Sequence, residues 1–304
     1  MIVNPATGNE ICTGVTSSFR LVESATPQRL TNGKESEVLE FLAARSLHNA
    51  VMSGLIRDNG LESALNRGTF YACRDPHGQL GGVALIGHAI FIDARCDDAL
   101  SAFAELAQGF DPPHMIMGEQ KVVARFWALY SRGGQSWRRL CREVLFALNE
   151  PPRAFRAVPE LRRARLDELA LVVPIHAALA MDESGVSPLV RDAGGFWQRC
   201  RRRVERGRVW VVIEDDEMLF KADVISETPE VIYLEGGYVH PHYRGQGFGS
   251  RCLAQLSRDL LRRTKAISLL VNEEHYAAQR LFQKVGFISR GRYETIFLHD
   301  RRWH

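Results

Sequence analysis

The stretch VHPHYRGQGFGS, residues 239–250, decides the fold of the chain around it. It follows an apolar run from Val231 to Val239, which predicts a β-strand, and precedes an amphipathic run from Arg251 to Arg263, which predicts a helix. A strand that ends in a glycine-rich turn and opens a helix presents backbone N–H groups to an anion. Because glycine has no Cβ, phosphate groups can approach this backbone closely. The stretch therefore predicts a pyrophosphate cradle.

The spacing Arg244-x-x-Gly247-x-Gly249 distinguishes this loop from two common phosphate-binding motifs. A dinucleotide fingerprint needs G-x-G-x-x-G, and a P-loop needs a lysine after its second glycine. The loop instead resembles the acyl-CoA loop of the GNAT N-acyltransferase superfamily, whose pattern is Q/R-x-x-G-x-G/A. A second stretch, AAQRLFQKVGF at 277–287, is similar to that family's helix ending in lysine, an aliphatic residue, Gly and Phe. The resemblance covers roughly residues 160 to 298.

The GNAT resemblance implies an α/β (α+β) fold in which a mixed, mostly antiparallel twisted sheet is flanked by helices. The elements predicted before residue 150 repeat those predicted after it: helices, strand, charged turn, strand, longer strand, helix, strand and helix. The sequence therefore predicts two GNAT-like domains in tandem, with an unrelated α/β accessory domain as the alternative. The predicted divisions are an N-terminal arm at 1–30, a degenerate GNAT-like domain at 31–150, a Pro- and Arg-rich linker at 151–163, and a catalytic domain at 164–304.

Composition and charge argue against several other classes of protein. A chain of 304 residues with 45% hydrophobic and 25% charged residues is ordinary for a soluble protein of about two domains. A net charge of +3 is too small to indicate nucleic acid as a partner. We expect no signal peptide, because the N-terminus has no basic segment followed by an apolar core. We expect no membrane span, because the longest apolar stretch, Gly81 to Ile92, is too short and contains His88. The six cysteines form no C-x-x-C pair, which predicts reduced thiols in the cytoplasm and no metal site.

The first half lacks the glycine loop. At the equivalent place it has Ile92-Asp93-Ala94-Arg95-Cys96-Asp97-Asp98, with three carboxylates and no glycine. Like charges repel an anion at such a helix start. We expect CoA to bind only in the second half.

The GNAT resemblance implies acetyl-CoA as the co-substrate and indicates which residues surround it. Backbone groups of a splayed strand, matched here by Tyr238 and Val239, would contact the pantetheine arm and the thioester oxygen. Asn272, at the end of the next strand, matches a cofactor-contacting position, and Phe282 matches a site in the last helix beside the cofactor. The residues expected to hold the pyrophosphate are Arg244, Gly245, Gln246, Gly247, Phe248, Gly249 and Ser250.

Glu235 is the predicted general base. It interrupts the apolar run that starts at Val231, and burial of an acid there would raise its pKa toward a useful range. It stands four residues before Val239, so a strand period of two predicts that both side chains share one face. A structural, hydrogen-bonded glutamate is the alternative interpretation, and His240 and His242 are the rival bases.

Two positions depart from the family pattern. Phe282 stands where many members carry a tyrosine as general acid, and His275 stands where the family has an asparagine. Another tyrosine, Tyr276, Tyr243 or Tyr293, would then serve, or the thiolate leaves without an acid. The alternative function is a non-catalytic acyl-CoA-binding sensor or an interaction protein.

The run Arg199, Arg201, Arg202, Arg203, Arg206 and Arg208 is the dense basic segment of the chain. A solvated helix face is the favoured interpretation, with contact to an acidic acceptor or a CoA phosphate as the alternative. Nucleic acid is disfavoured, because no aromatic stacking platform accompanies the run. We expect the acceptor to be a primary amine on a small molecule or a peptide, and a homodimer stays open.

Overall fold

A computed structural model describes residues 26–153 and 156–299. Most of the predicted N-terminal arm and Cys12 lie outside these residues. The helices are α1 (Glu35–Ala43), α2 (Ala50–Asn59), α3 (Asp97–Gln108), α4 (Gln120–Tyr130), α5 (Leu169–Ser184), α6 (Pro188–Glu205), α7 (Phe248–Leu260) and α8 (Tyr276–Val285). The strands are β1 (Gln28–Arg29), β2 (Gly68–Arg74), β3 (Leu80–Gly87), β4 (Ala89–Ala94), β5 (Met115–Glu119), β6 (Trp137–Leu148), β7 (Arg162–Arg163), β8 (Val209–Glu214), β9 (Glu217–Glu227), β10 (Ile232–Val239), β11 (Ile267–Asn272) and β12 (Ile288–Leu298).

The strands form one sheet of twelve, in the order β1-β2-β3-β4-β5-β12-β6-β11-β10-β9-β8-β7. Neighbours are antiparallel except for β4 with β5 and β10 with β11, which are parallel. These two parallel pairs occupy equivalent places in the two halves. The predicted fold class, two GNAT-like units with mostly antiparallel strands, is confirmed.

Each half ends in a strand that joins the other half's part of the sheet. β6 lies between β11 and β12, and it pairs with β11 from Leu148↔Ile267 to Glu143↔Asn272. β12 lies between β6 and β5, with Tyr293 opposite Glu119 on β5. Neither exchanged strand is among the elements predicted from the sequence. The exchange covers edges of β5 and β11 that would otherwise present unpaired backbone groups.

Helix α2 of the first half packs on strands β9 and β10 of the second. Ala50 belongs to a buried cluster with Val231, Tyr233 and Ala266, and the Ser226 hydroxyl donates a hydrogen bond to the Ala50 carbonyl. The divisions at residues 150 and 164 stay a prediction, because the halves share the sheet on both sides of them. Within the described ranges, no helix is long and apolar enough to cross a membrane.

The exchange generates a prediction about fragments. A fragment of residues 150–304 lacks β6, so β11 keeps an unpaired edge, and we expect the fragment to aggregate. Co-expression with residues 1–149 should yield a soluble one-to-one complex. Size-exclusion chromatography with light scattering measures both outcomes.

The control is the full chain with a protease site placed at residues 151–153. After cleavage, the two pieces should stay associated, because the exchanged strands hold them together. A monomeric, well-folded 150–304 fragment would show that β6 is dispensable.

Candidate active site

The glycine loop has the backbone that a pyrophosphate cradle requires. Gly245 and Gly247 have φ angles of +73° and +76°, in the left-handed region that favours glycine. Gly247 is the N-cap of α7, and the Arg251 amide makes the first bond back to its carbonyl, at 3.1 Å. The amides of the residues between them have no acceptor inside the helix, so they can bind an anion.

Gly249 is required for close packing, whereas Gly245 and Gly247 are required for their backbone conformation. A Cβ added there would lie 2.7 Å from Cγ2 of Val239 and 3.1 Å from Cδ1 of Leu281. The missing side chain therefore lets α7 pack closely against β10 and α8, which sets the distance between the cradle and the strand.

Positive side chains surround the cradle. Nη1 of Arg251 and Nζ of Lys284 each lie 3.8 Å from the place a Cβ would take on Gly247. Arg244 Nε donates to the Val239 carbonyl at 2.9 Å, and Gln246 Nε2 donates to the His242 carbonyl at 2.6 Å. The loop is thus braced by its own side chains and lies in a positive field, which suits a pyrophosphate.

Strands β10 and β11 separate beside this loop. They pair through Ile232, Tyr233 and Leu234, and the later residues of β10 pair with β9 alone. Asn272 ends β11 on the far side of the opening, where its Oδ1 accepts from the Glu274 amide at 2.8 Å. The opening is a cleft in which backbone groups of β10 are available to a ligand.

A β-bulge interrupts β10 in this cleft. Glu235 pairs with Asp223, and Tyr238 pairs with Lys221. The chain therefore advances three residues along β10 where it advances two along β9. The extra residue shifts the alternation of side chains, and Tyr238 packs against a buried cluster that includes Val172 of α5 and Val204 of α6.

The bulge corrects an expectation about Val239. Val239 packs against α7, on the opposite face from Tyr238 and Glu235. The prediction that Glu235 and Val239 share a face is wrong, since the strand is not regular between them. Tyr238 is the residue that shares the face of Glu235.

The surroundings of Glu235 suit a proton acceptor. Its side chain is exposed to solvent on one side. Protein atoms surround it on the other sides and remove part of its hydration. Partial loss of water raises the pKa of its carboxyl, while the nearby Arg203 charge and a hydrogen bond from the Tyr233 hydroxyl lower it. A carboxylate whose pKa is raised is a stronger base.

Two further carboxylates face Glu235. Glu143 on β6 is 9% exposed, and Thr295 Oγ1 donates to its Oε2 at 2.7 Å. Burial raises the pKa of Glu143 to about 7. Glu183, near the end of α5, is exposed on one side, and partial loss of water together with the charges of Glu235 and Glu143 raises its pKa to about 8. The sequence pointed to neither, because Glu143 lies on an unpredicted strand and Glu183 on a helix without a distinguishing pattern.

The rival bases His240 and His242 and the candidate acid Tyr293 contact side chains other than Glu235. His240 Nε2 lies 2.9 Å from Glu217 Oε1, and its ring makes an edge contact with His242. Tyr293 contacts His48 Nδ1 at 2.8 Å. That contact ties Tyr293 to the first half of the chain.

The other candidate tyrosine and the phenylalanine differ in exposure. Tyr276 begins α8 and is 66% exposed. Phe282 packs against the core of the second half, beside Phe146 and Phe287. Tyr276 is therefore the more accessible of these two residues, while the role of Phe282 beside a cofactor stays a prediction.

The arginine run is mostly engaged in contacts within the protein. Arg208 Nη2 donates to Oδ1 of Asp58 on α2 at 2.7 Å, and Arg206 also contacts Asp58. Arg203 donates to Asp223 at 2.9 Å. The interpretation as a solvated face is wrong for Arg203 and Arg208, because tertiary contacts supply acidic partners that are distant in sequence.

At the position equivalent to the cradle, the first half has a helix start with carboxylates in place of the glycine loop. Cys96 is the N-cap of α3, and Asp97 and Asp98 occupy the first turn. Arg45 and Arg95 bind the buried Asp93. The backbone there has no glycine, and the nearby carboxylates are unfavourable for a phosphate.

The fold and the glycine loop resemble those of GNAT acyltransferases, and comparison with known proteins supports this likeness. Residues 205–289 match the family model described as Acetyltransferase (GNAT) domain. No curated protein matches the sequence. Residues 205–289 thus match a GNAT domain, and the fold of the chain is that of tandem GNAT proteins.

Solved structures show the same fold over nearly the whole chain. A Drosophila protein is similar at a TM-score of 0.68 and 14% identity, over 91% of this chain and 99% of that one. A GNAT-family acetyltransferase from Colwellia psychrerythraea gives a TM-score of 0.55 at 12% identity, over 90% of this chain and 100% of its own. A tandem GNAT protein from the clavulanic acid biosynthesis pathway gives 0.53 at 14% identity, over 88% and 97%.

The burial of Glu143 generates a prediction about stability. Its pKa rises from the ordinary 4.5 to about 7, so between these pH values the folded protein binds more protons than the unfolded chain. The free energy of unfolding therefore falls as pH rises through this window, and the loss is complete above it. Glu143→Gln removes the charge and keeps an acceptor for Thr295.

We expect Glu143→Gln to be more stable than the original protein at pH 8, by on the order of 3 kcal/mol, and about equal to it near pH 4. Urea unfolding at both pH values measures the difference. The control, Glu40→Gln on an exposed position of α1, should match the original protein at both. Equal stability of Glu143→Gln and the original at pH 8 would contradict the raised pKa.

Proposed function

We propose that this protein is an N-acetyltransferase that moves an acetyl group from acetyl-CoA to a primary amine. The single observation that carries the proposal is the position of Glu235 on β10, the strand that leads into the glycine cradle. The bulge lies between Glu235 and the end of this strand. A cofactor whose pyrophosphate binds α7 would extend its pantetheine arm along the cleft between β10 and β11. Its thioester would then lie near the bulge, within reach of an amine beside Glu235.

The proposed reaction is a direct transfer. Glu235 accepts a proton from the ammonium form of the acceptor, and the free amine attacks the thioester carbon. The C–N bond forms, the C–S bond breaks, and the nitrogen loses its second proton to solvent to give the amide. The CoA thiolate takes a proton from solvent, or from Tyr276, which then regains one from solvent. Backbone N–H groups of Tyr238 and Val239 are the proposed donors to the oxyanion, since an irregular strand leaves such groups available.

The acceptor site is proposed to lie between the two halves. A cavity that opens to solvent has walls from both halves, among them Arg45, His48, Glu119, Tyr233 and Tyr293. Tyr233 borders this cavity and also donates to Glu235. An acceptor that inserts its primary amine into this cavity would bring the amine close to Tyr233, the hydrogen-bond partner of Glu235.

A non-catalytic acyl-CoA sensor is the second candidate, and Phe282 is the observation that favours it. A phenylalanine cannot donate a proton to the leaving thiolate. The two functions differ in thiol release: a sensor binds acetyl-CoA but releases no free CoA with any amine. Screening amines by mass spectrometry for acetylated products decides between them.

Gly247→Glu should abolish binding of acetyl-CoA. The change adds a side chain at a positive φ angle and a negative charge beside the pyrophosphate. Isothermal titration calorimetry should show one site per chain for the original protein and none for the variant. The control is Gly78→Glu in the β2–β3 turn, where φ is +79° and no heavy atom lies within 4 Å of an added Cβ.

The control suffers the same backbone strain far from the cradle and should bind like the original. Unchanged binding by Gly247→Glu would show that the cradle is wrongly assigned. A stoichiometry near two would show that the first half also binds the cofactor.

Glu235→Gln should lower kcat by roughly 10²–10⁴, the usual contribution of a general base. The affinity for acetyl-CoA should change little. The defect should shrink at high pH, where more of the acceptor amine is already neutral. Steady-state kinetics from pH 6 to 10 measure this, and His240→Asn is the matched test of the rival base. If His240→Asn loses activity and Glu235→Gln does not, the base is His240.

A further inference from the structure

Two charged residues are buried on β9, at the positions that pair with the two ends of the bulge in β10. Lys221 is 0% exposed and Asp223 is 1% exposed. Lys221 Nζ lies 2.8 Å from Asp223 Oδ1. Burying two ions costs several kcal/mol each unless other groups compensate them. A position this unfavourable, next to the proposed transfer site, indicates a task beyond packing.

Further polar groups from α5 and α6 complete a network around this pair. Arg203 Nη1 donates to Asp223 Oδ2 at 2.9 Å and to His176 Nε2 at 3.0 Å. Burial and the neighbouring Arg203 charge lower the pKa of His176 to about 3, so its ring is neutral. Burial lowers the pKa of Lys221, while the Asp223 carboxylate raises it. With Lys221 protonated, the network contains two cations and one carboxylate, an excess of one positive charge.

The network contacts the bulge directly. Lys221 Nζ donates to the Gly236 carbonyl at 3.3 Å, and Gly236 has a φ of +62°. A Cβ on Gly236 would lie 2.9 Å from Lys221 Nζ and 3.1 Å from Asp223 Oδ2. The backbone of the bulge thus lies against the ion pair, which leaves no room for a side chain there.

The same charges face Glu235. Arg203 and Lys221 lower its pKa, and Asp223 raises it. Glu235 and its two neighbouring carboxylates need positive charge nearby if Glu235 is to be ionised at neutral pH. The charged and titratable groups that face Glu235 are Arg203 on α6, Lys221 and Asp223 on β9, Glu183 on α5, Glu143 on β6 and Tyr233 on β10.

We propose that Lys221, Asp223 and Arg203 are positioning residues of the transfer site, which fix the bulge of β10 and supply the positive charge that keeps Glu235 ionised. This proposal rests on the proposed function of Glu235 as the base. The two tasks are separable, because charge acts through space whereas the bulge depends on the Lys221 contact with Gly236.

The charge task is tested by titrating the Glu235 carboxyl with ¹³C NMR, with its signal assigned by comparison with Glu235→Gln. Arg203→Gln and Lys221→Met each remove one positive charge, so the midpoint should move to higher pH in both. The double variant Lys221→Met/Asp223→Asn removes a cation and an anion together, and its midpoint should return close to that of the original protein. A merely structural role would not produce this charge-balanced rescue.

The bulge task is tested by calorimetry with acetyl-CoA. Lys221→Met and the double variant both lack the contact with Gly236, so the Kd should rise roughly tenfold in both, as expected for a misplaced binding backbone. Arg203→Gln keeps that contact and should bind almost normally. The matched control is Arg201→Gln, an exposed arginine of the same helix, which should change neither the midpoint nor the Kd.

The outcomes separate this proposal from the proposed function. If the original protein acetylates no amine, the proposed function fails, while the Glu235 midpoint still reports on the network. Unchanged midpoints in Arg203→Gln and Lys221→Met, or a double variant that titrates like Lys221→Met, would overturn the charge task. If Lys221→Met does not fold, Arg203→Gln tests the charge and the double variant tests the bulge, since exchanging a whole buried ion pair is better tolerated than breaking it.

Discussion

The backbone pairing of β6 with β11 is the constraint on which the rest of the structure depends. Without β6, the outer edge of β11 would be unpaired and would present backbone N–H and C=O groups that can pair with another chain. β6 covers that edge from Ile267 to Asn272. Because β6 comes from the first half of the chain, this pairing makes the two halves one sheet.

The exchange also decides what surrounds the candidate site. Glu143 reaches Glu235 only because β6 lies beside β11, and Thr295 reaches Glu143 only because β12 lies beside β6. The first half thus adds a wall and a carboxylate to a site whose cradle lies wholly in the second half. The first half therefore contributes residues to the candidate site although it has no glycine loop of its own.

The bulge in β10 shows why local patterns were insufficient for the site. Glu235 was recognisable because it is an acid within an apolar strand. Lys221 and Asp223 are likewise charged residues within the mostly buried strand β9. A period of two, however, assigns faces correctly only in a regular strand. The inserted residue near Gly236 exchanged the faces of Tyr238 and Val239, and it became apparent only through the pairing with β9.

The sequence by itself determined the elements whose signals are local: the glycine cradle, the amphipathic helix α7, the tandem order of elements and the acid on β10. Turn glycines, helical periodicity and an interrupted apolar run act over a few residues, so they can be read without a fold. Only the tertiary structure decided the exchange of β6 and β12, the partners of the arginine run and the grouping of Glu143 and Glu183 around Glu235. These features depend on contacts between segments far apart in the chain, such as Arg208 with Asp58, and no local pattern encodes which distant partner a strand edge or a charge will meet.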